Sequence, residues 1–337
     1  MREPSFWWRK PGVAAALLAP LGALYGTVAA RRMARPGRRA GVPVICIGNL
    51  TLGGSGKTPA AIAVARLLQA AGERPAFLTR GYGGRLAGPA LVSSTHTAAE
   101  VGDEPLLLAR VAPTIVARNR VAGAAAAPAG TTVIVMDDGF QNPSLAKDIV
   151  AVVLDGARGI GNGKVFPAGP LRAPLAAQFA NAPSLLVVGE PGASARDVIA
   201  TVGGRAPRVV KGRIVPDAGA VAALAGRVAL AFAGIGDPDK FYATLRAAGV
   251  TVAEQASFAD HHVFTAAEAA ALIARADARG LVLVTTEKDH ARMTGYPVLA
   301  ALAARSATLP VTLAIDGTDD LGGLVADLLN GRFGGRR

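Results

Sequence analysis

The chain has 337 residues, of which 51% are hydrophobic and 18% are charged, and its formal net charge is +12. This composition excludes an intrinsically disordered chain, and the length is enough for one large or two ordinary domains. The basic excess favours an anionic partner, either nucleic acid or an acidic membrane surface. The sequence has no zinc-finger spacing, RNA-binding aromatic motif or long basic tail, so nucleic acid is the less favoured of the two.

An uncharged, mostly apolar segment, residues 13–30, lies between Arg9-Lys10 and Arg31-Arg32. As a helix it would be about 27 Å long, slightly less than the hydrocarbon core of a bilayer. It is compatible with a cleaved signal peptide, a spanning helix, a helix lying in the inner leaflet, or an alanine-rich core helix. Because the arginines that follow oppose export and attract anionic lipid, we predict a membrane-associated helix over residues 1–34.

After a basic linker, short Val/Ile/Leu runs alternate with alanine-rich helical stretches, which indicates an α/β fold. Strands that are apolar on both faces indicate a mostly parallel sheet flanked by helices. We predict a P-loop NTPase-type domain over 35–210 and a smaller α/β domain over 211–317, with a C-terminal helix at 318–337 that packs back on the larger domain. The predicted strands are 42–47, 76–79, 132–136, 149–154, 184–188, 228–232 and 281–285, and the predicted helices are 57–71, 239–248 and 265–278.

A glycine-rich loop follows the first predicted strand and precedes an amphipathic helix. Glycines let backbone N–H groups curl around phosphates, and the helix adds its positive end. In such a loop Lys57 reaches the β- and γ-phosphates of ATP, and the Thr58 hydroxyl joins the Mg²⁺ shell. Thr51 stands where the full consensus has a glycine. The predicted ATP-binding residues are Thr51, Leu52, Gly53, Gly54, Ser55, Gly56, Lys57 and Thr58.

An acidic pair, Asp137-Asp138, ends the apolar run 133–136. In doubly wound sheets the carboxyl ends of the strands form the ligand-binding edge, and a carboxylate there can hold Mg²⁺ directly or through water. With Thr58, this pair is the predicted metal site. Which carboxylate would touch the ion stays open.

Phosphoryl transfer to a hydroxyl needs a group that positions or deprotonates the attacking oxygen. Asp103 and the pair His261-His262 are the candidates, alongside Lys57 as the catalytic cation. Their alternatives are a helix cap for Asp103 and a solvated loop for the histidines. Basic and aromatic residues in or beside loops are candidates for gripping a phosphorylated acceptor. These are Arg80, Tyr82, Arg118, Arg120 and Arg172.

Taken together, the motifs resemble the tetraacyldisaccharide 4′-kinases of lipid A biosynthesis over nearly the whole chain. The motifs that carry the resemblance are Pro20-Leu21 with Leu24-Tyr25, Gly48-Asn49 through Pro59, Arg80-Gly81-Tyr82-Gly83-Gly84, Gly102-Asp103-Glu104-Pro105, Asp137-Asp138-Gly139-Phe140-Gln141, Pro167-Ala168-Gly169-Pro170-Leu171-Arg172, Gly234-Ile235-Gly236, Asp260-His261-His262 and Thr285-Thr286-Glu287-Lys288-Asp289.

The resemblance implies a kinase at the cytoplasmic face of the bacterial inner membrane that uses ATP and Mg²⁺. It implies transfer of the γ-phosphate to the 4′-hydroxyl of a tetraacylated glucosamine disaccharide 1-phosphate, held between two domains. By the same resemblance Asp103 is the base, assisted by one of His261 and His262. The implied acceptor-binding residues are Arg80, Tyr82, Gln141 and Arg172. One departure is Ala173, where the family pattern has a glutamate that is a candidate for holding the metal.

The expected partners are the lipid disaccharide and the anionic membrane surface, with no nucleic acid and no obligate protein partner. A membrane-associated P-loop switch that phosphorylates no acceptor remains the main alternative. A GTPase is disfavoured because the chain lacks an Asn-Lys-x-Asp motif, for which Thr286-Glu287-Lys288-Asp289 is the nearest approximation. A nucleic-acid-dependent ATPase is supported only by the net charge.

Overall fold

The structure is a computed structural model that describes residues 3–181, 184–203 and 208–315. Within these ranges strands and helices alternate along most of the chain, with short 3-10 helices at Ser5–Trp8 and Pro297–Leu299. The strands are β1 Val44–Asn49, β2 Pro75–Thr79, β3 Ala90–Leu91, β4 Thr114–Val116, β5 Val133–Asp137, β6 Ile149–Asp155, β7 Ser184–Val188, β8 Arg208–Pro216, β9 Val228–Ala233, β10 Thr251–Ser257, β11 Val282–Thr285, β12 Ser306–Thr308 and β13 Val311–Ile315. The α-helices are α1 Val13–Met33, α2 Lys57–Ala70, α3 Ala98–Val101, α4 Asp103–Leu108, α5 Arg120–Ala125, α6 Leu175–Phe179, α7 Ala193–Gly203, α8 Ala218–Leu224, α9 Pro238–Ala247, α10 Ala266–Ala278, α11 Glu287–Met293 and α12 Ala300–Arg305.

The larger sheet has the strand order β13-β8-β7-β6-β1-β5-β2-β4-β3. Its strands pair in parallel except at β13 with β8 and at β3 with β4. β1 lies in the middle, between β5 and β6, and its register places Ile47 opposite Asp137. The end of β1 therefore lies beside the end of β5, as the predicted mostly parallel sheet requires.

Both faces of this sheet are covered, which explains why its strands read as continuous apolar runs. Side chains alternate along each strand. Cys46 and Met136 belong to one buried cluster, whereas Ile47 and Val135 belong to a second cluster that includes the apolar face of α2. The α/β fold class predicted from the sequence is confirmed.

A smaller sheet of order β10-β9-β11-β12 is parallel throughout its described pairings. Residues of α8 and α9 pack on one face of it, and residues of α10 and α12 pack on the other. This second unit has its own core, as expected for the smaller α/β domain.

The change from one sheet to the other comes later than the sequence suggests. The predicted boundary at residue 210 falls inside β8, which pairs with β7 and β13 in the larger sheet up to Pro216. The glycine-rich stretch near residue 210 resembles a linker in the sequence. In the structure its Gly212 packs closely against β13, since a Cβ there would meet the carbonyl oxygen of Ala314 at 2.9 Å. β13 then returns to the larger sheet, so the smaller unit is inserted in the sequence between β8 and β13. The predicted helix at 318–337 is outside the described residues.

The apolar amino-terminal segment forms α1, which is docked along the body by one face. Gly22 and Gly26 allow this close approach, because a Cβ on Gly22 would meet the carbonyl oxygen of Val165 at 2.9 Å and one on Gly26 would meet Pro174 at 3.2 Å. By length and composition α1 is also the one described helix that could cross a membrane. The face turned away from the body is apolar and exposed at Val13, Leu17, Leu21, Leu24 and Val28.

Candidate active site

The glycine-rich loop is held in a defined shape between β1 and α2. The Asn49 side chain donates hydrogen bonds to the carbonyl oxygens of Thr51 (2.7 Å) and Gly53 (3.3 Å). The Leu52 amide donates to Pro170 O at 2.8 Å. Gly56 has a φ of 84°, in the left-handed region where glycine is favoured, and a Cβ at Gly54 would meet nothing within 4 Å. The loop is thus fixed by its neighbours while its Gly54 side stays open for a ligand.

Lys57 and Asp138 lie together at the start of α2. Lys57 is buried, and its Nζ lies 3.9 Å from Asp138 Oδ1. Burial lowers the pKa of Lys57, and the nearby Asp138 charge opposes that shift. Arg172 contacts the same carboxylate, with 2.8 Å from Nη1 to Oδ1 and 3.3 Å from Nη2 to Oδ2. Burial would raise the pKa of Asp138, but Lys57 and Arg172 outweigh it and bring that pKa to about 2.

Asp137 is the carboxylate that fits a bound cation. Both of its oxygens are buried, and neither has a hydrogen-bond partner among the described residues. Burial, together with the charge of Glu104, raises the pKa of Asp137 to about 7. A buried carboxylate without a partner is costly, so a hard cation such as Mg²⁺ at its oxygens would remove that cost.

Ala173 does not contribute to this metal-binding region. It is fully buried in the core of the larger sheet, and its carbonyl oxygen accepts a hydrogen bond from Gln178. In the described parts of the chain no group of three or more His, Cys, Asp or Glu side chains could hold a metal. The residues present fit an ion that Thr58 and the acidic pair share with a nucleotide's phosphate oxygens, which is how Mg²⁺ commonly binds.

A cleft with a volume of about 770 Å³ runs between the two sheets and contains the glycine-rich loop. Its polar lining includes the predicted residues Lys57, Thr58 and Asp138. Its apolar lining includes Ile62, Ile214, Ile235, Phe241, Leu309 and Val311. The predicted acceptor-binding residues Arg80, Tyr82, Gln141 and Arg172 also line the cleft, together with Arg118 and Arg120.

Asp103 lies behind His261, which lines the cleft. Asp103 begins α4 and is 2% exposed, whereas the side chain of His261 is 27% exposed. His261 Nδ1 lies 3.3 Å from Asp103 Oδ2, and the other oxygen, Oδ1, accepts a hydrogen bond from the Glu104 amide. The hydrogen bond to Asp103 raises the pKa of His261, so a proton on this imidazole is stabilised. His261 has a φ of 55°, a conformation uncommon for a residue with a side chain.

The adjacent His262 is turned the other way. Its Nε2 lies 3.0 Å from Glu268 at the start of α10, and its ring stacks on Phe258 with centroids 4.9 Å apart. Phe264 packs against the edge of the same ring. These contacts place His262 in the packing of the smaller domain and leave His261 as the histidine of the pair that faces the cleft.

Some predicted residues have structural partners as well as cleft exposure. Gln141 donates to Asn49 O at 2.7 Å, and Arg172 donates from Nε to Thr51 O at 2.9 Å, so both also support the loop. Tyr82 is 64% exposed, and its ring centroid lies 5.0 Å from that of His261.

Sequence reasoning missed two arginines, Arg32 and Arg292. Arg32, at the end of α1, lines the cleft. Arg292, on α11, contacts Asp103 from the smaller domain. In the sequence, the arginines near α1 indicate only attraction to lipid. Arg292 follows the polar run 285–289 by three positions, the spacing that returns a helix to the same face.

Known proteins share both the sequence and the fold. A family model for tetraacyldisaccharide-1-P 4′-kinase matches residues 14–330. A tetraacyldisaccharide 4′-kinase of Nitrobacter winogradskyi is 55% identical over 318 residues, 94% of each chain. One of Methylobacterium sp. strain 4-46 is 56% identical over 337 residues, 99% of this chain and 100% of the relative.

A solved structure gives independent support for the fold. The crystal structure of LpxK from Aquifex aeolicus, described as an apo form in complex with ATP, superimposes with a TM-score of 0.68. The match covers 93% of this chain and 99% of that one, at 24% sequence identity. The family match, the close relatives and the order of the site motifs agree, and the chain belongs to the tetraacyldisaccharide-1-P 4′-kinase family.

Proposed function

We propose that this protein transfers the γ-phosphate of ATP to the 4′-hydroxyl of a tetraacylated glucosamine disaccharide 1-phosphate, a step of lipid A biosynthesis. The family membership carries the assignment, and the observation that supports it most directly is the cleft that joins the glycine-rich loop to His261. A phosphate donor and a hydroxyl acceptor can therefore meet in one cavity. That juxtaposition is what a kinase requires and a simple switch does not.

ATP would bind with its phosphates on the glycine-rich loop and its base against the apolar lining of the cleft. The open backbone at Gly54 and the buried Lys57 supply N–H groups and a positive charge for the phosphates. Ile62 of α2 and Phe241 of α9 offer apolar surface from both domains. Mg²⁺, held through Thr58 and the acidic pair, would supply neutralisation of the phosphate charge.

His261 would accept the proton of the attacking hydroxyl, and Asp103 would hold the imidazole in place. This assignment differs from the expectation that Asp103 is itself the base. The reason is that the His261 side chain is more exposed to the cleft than Asp103 is. Asp103 is buried behind the imidazole, and its oxygens face His261, Arg292 and the Glu104 amide. A carboxylate in this position orients the ring and stabilises the imidazolium that forms, as in other His–Asp pairs.

The transferring phosphoryl group would be surrounded by fixed positive charge. Lys57 and Arg172 both contact Asp138, which anchors them at the end of β5. Groups that are already positioned need no reorganisation when charge develops in the transition state. The side chains of this chain thus orient the donor, hold the acceptor and take up one proton.

The protein would work on the cytoplasmic face of the inner membrane, with α1 lying in the leaflet rather than crossing it. One face of α1 is docked on the body at Gly22 and Gly26, so spanning would draw Val165 and Pro174 into the hydrocarbon. The opposite face, with Leu17, is exposed and apolar. Burial of such a face together with arginines near anionic headgroups is the usual mode of interfacial helices.

This placement suits a substrate with four acyl chains, which stays in the bilayer. The lipid disaccharide and the anionic lipid surface are the proposed partners, and the function requires neither nucleic acid nor a second protein. A P-loop switch without an acceptor is the alternative, and it leaves the His261–Asp103 pair at the cleft without a role.

The test is to incubate the protein with γ-labelled ATP, Mg²⁺ and a detergent-dispersed tetraacyl disaccharide 1-phosphate. Label is expected in the lipid, and an acceptor whose 4′-hydroxyl is already phosphorylated should take up none. Release of free phosphate alone would support the switch, and hydrolysis that rises with added DNA or RNA would support a nucleic-acid-dependent ATPase. Either result would refute the kinase assignment.

A further inference from the structure

Three ion pairs among the described residues join α11 of the smaller domain to α4, or to the residues just after it, in the larger domain. Lys288 Nζ lies 2.5 Å from Glu104 Oε1, and Arg110 Nη1 lies 3.1 Å from Glu287 Oε1. The side chains of these two pairs are 22% to 53% exposed. The third contact, from Arg292 to Asp103, differs because both partners are buried, with side chains 7% and 1% exposed.

Arg292 contacts Asp103 directly and is linked to His261 through one shared backbone carbonyl. On the Asp103 side, Nε lies 2.7 Å and Nη2 lies 2.6 Å from Oδ2. On the other side, Nη1 donates to the carbonyl oxygen of Gly234 at 2.7 Å, and that same carbonyl accepts the backbone N–H of His261 at 3.0 Å. One guanidinium therefore contacts the carboxylate directly and the histidine through its backbone anchor.

The guanidinium is itself held by Asp289. Arg292 Nη1 lies 2.7 Å from Asp289 Oδ1, which also accepts the Gly234 amide at 3.0 Å. Gly234 leaves room for this group, because a Cβ there would lie 3.1 Å from Asp289 Oδ1 and 3.0 Å from the His262 side chain. The planar fork of arginine suits such a bridge, which the single ammonium of lysine cannot reproduce.

We propose that Arg292 is a positioning residue that assembles the His261–Asp103 pair when the smaller domain is docked on α4. This inference deepens the proposed function and rests on it. Asp103 comes from the larger domain, whereas His261, Gly234 and Arg292 come from the smaller one. The pair is complete only when the two domains meet at this point, and Arg292 fixes that meeting.

The first test compares steady-state kinetics of Arg292→Lys and Arg292→Met with wild type. We expect kcat to fall by about 10²-fold in both, since a displacement of about 1 Å at a reacting group costs that much. The KM for ATP should stay within about twofold of wild type, because Arg292 does not line the cleft. Arg110→Met is the matched control, since it removes a contact at the same junction without touching the pair, and its kcat should match wild type.

The second test is the pH profile of kcat, which a merely structural role would not shift. His261 is faced by Asp103 of α4, Arg292 of α11, the Tyr82 ring and Asp260 of its own loop. The Arg292 charge lowers the pKa of His261, against the raising effect of Asp103. Arg292→Lys keeps that charge but loosens the pair, so the hydrogen bond to Asp103 should weaken and the acid limb should move to lower pH. In Arg292→Met the lost charge acts in the opposite direction, so Arg292→Lys is the variant that reports positioning alone.

Each outcome decides the inference. Wild-type kcat in either Arg292 variant would overturn it, as would a loss of kcat accompanied by a raised KM, a lower Tm and an unshifted pH profile. If Arg292→Met fails to fold, the kcat, KM and Tm of Arg292→Lys decide alone. Failure of the wild-type protein to label the lipid would instead refute the proposed function, which separates the two failures.

Discussion

In the proposed mechanism, the imidazole of His261 and the carboxylate of Asp103 act on one proton from different depths. The ring faces the cleft and the carboxylate lies behind it, so the rate should depend on the protonation state of the ring. A general base must be unprotonated, and turnover therefore falls as the pH falls through its pKa. Asp103 raises the pKa of His261 above its ordinary value of 6.5, so the acid limb of wild-type kcat should lie above that pH.

Asp103→Asn tests this division of roles. Loss of the carboxylate removes the hydrogen bond that raises the pKa of His261, so the acid limb should move to lower pH. The maximal rate should fall by about 10²- to 10⁴-fold, because the amide cannot stabilise the imidazolium. The measurement is kcat for lipid labelling across pH, with nucleotide affinity as the control. An acid limb that disappears, rather than shifts, would assign the base to Asp103 itself.

In the proposed mechanism, Lys57 supplies the charge that the γ-phosphate needs most directly. It is buried beside Asp138 at the start of α2, where a positive charge counts for more than it does in water. Lys57→Ala should lower transfer by at least about 10²-fold, as the loss of one fixed donor does in other enzymes. Lys211→Ala, at an exposed position on β8, is the control and should transfer normally. Near-normal turnover in folded Lys57→Ala would refute its role.

For single elements, the sequence predicts the features that depend on residues close together along the chain. The glycine-rich loop follows its strand directly, and Asp137 ends a strand that pairs with the same one, so both could be located from the sequence. The choice between His261 and His262 depends on the backbone conformation, which the sequence does not show. His261 has a φ of 55°, and the next side chain, His262, stacks on Phe258. Arg292 could not be assigned, since its partner Asp103 is far away along the chain.

The exposed face of α1 is the element that should decide membrane binding. Leu17 and Leu21 are 75% and 56% exposed on the face away from the body. Leu17→Asp with Leu21→Asp should abolish co-flotation with anionic vesicles, because each charge would have to enter the apolar layer, while the fold remains intact. Val298→Asp, at a 68% exposed position of the smaller domain, is the control. Undiminished flotation of the double variant would show that another surface binds the lipid.

The whole molecule brings the end of α1 and the glycine-rich loop to one cavity. Strand order explains how, since β1 lies at the centre of the larger sheet and the smaller domain is inserted between β8 and β13. The sequence predicted two domains but placed their boundary inside β8, because a glycine in a strand and a glycine in a linker look alike without the pairing partners.

Arg32 connects α1 with the cleft, because it lies in the last turn of the helix and lines the cleft. The family name specifies a 1-phosphate on the acceptor, and an arginine at the cleft edge suits it through paired N–H donors. Arg32→Ala should raise the KM for the lipid about tenfold, the effect of losing about 1.4 kcal/mol of binding, and leave the KM for ATP unchanged.

The control for Arg32 is its neighbour Arg31, which is also exposed but does not line the cleft. Both arginines attract anionic lipid, so a loss shared by Arg31→Ala would reflect membrane attraction alone. An acceptor without the 1-phosphate sharpens the comparison, since it should bind wild type and Arg32→Ala equally. If the dephosphorylated acceptor still distinguishes the two proteins, Arg32 does not bind that phosphate, and its place in the cleft serves the docking of α1 instead.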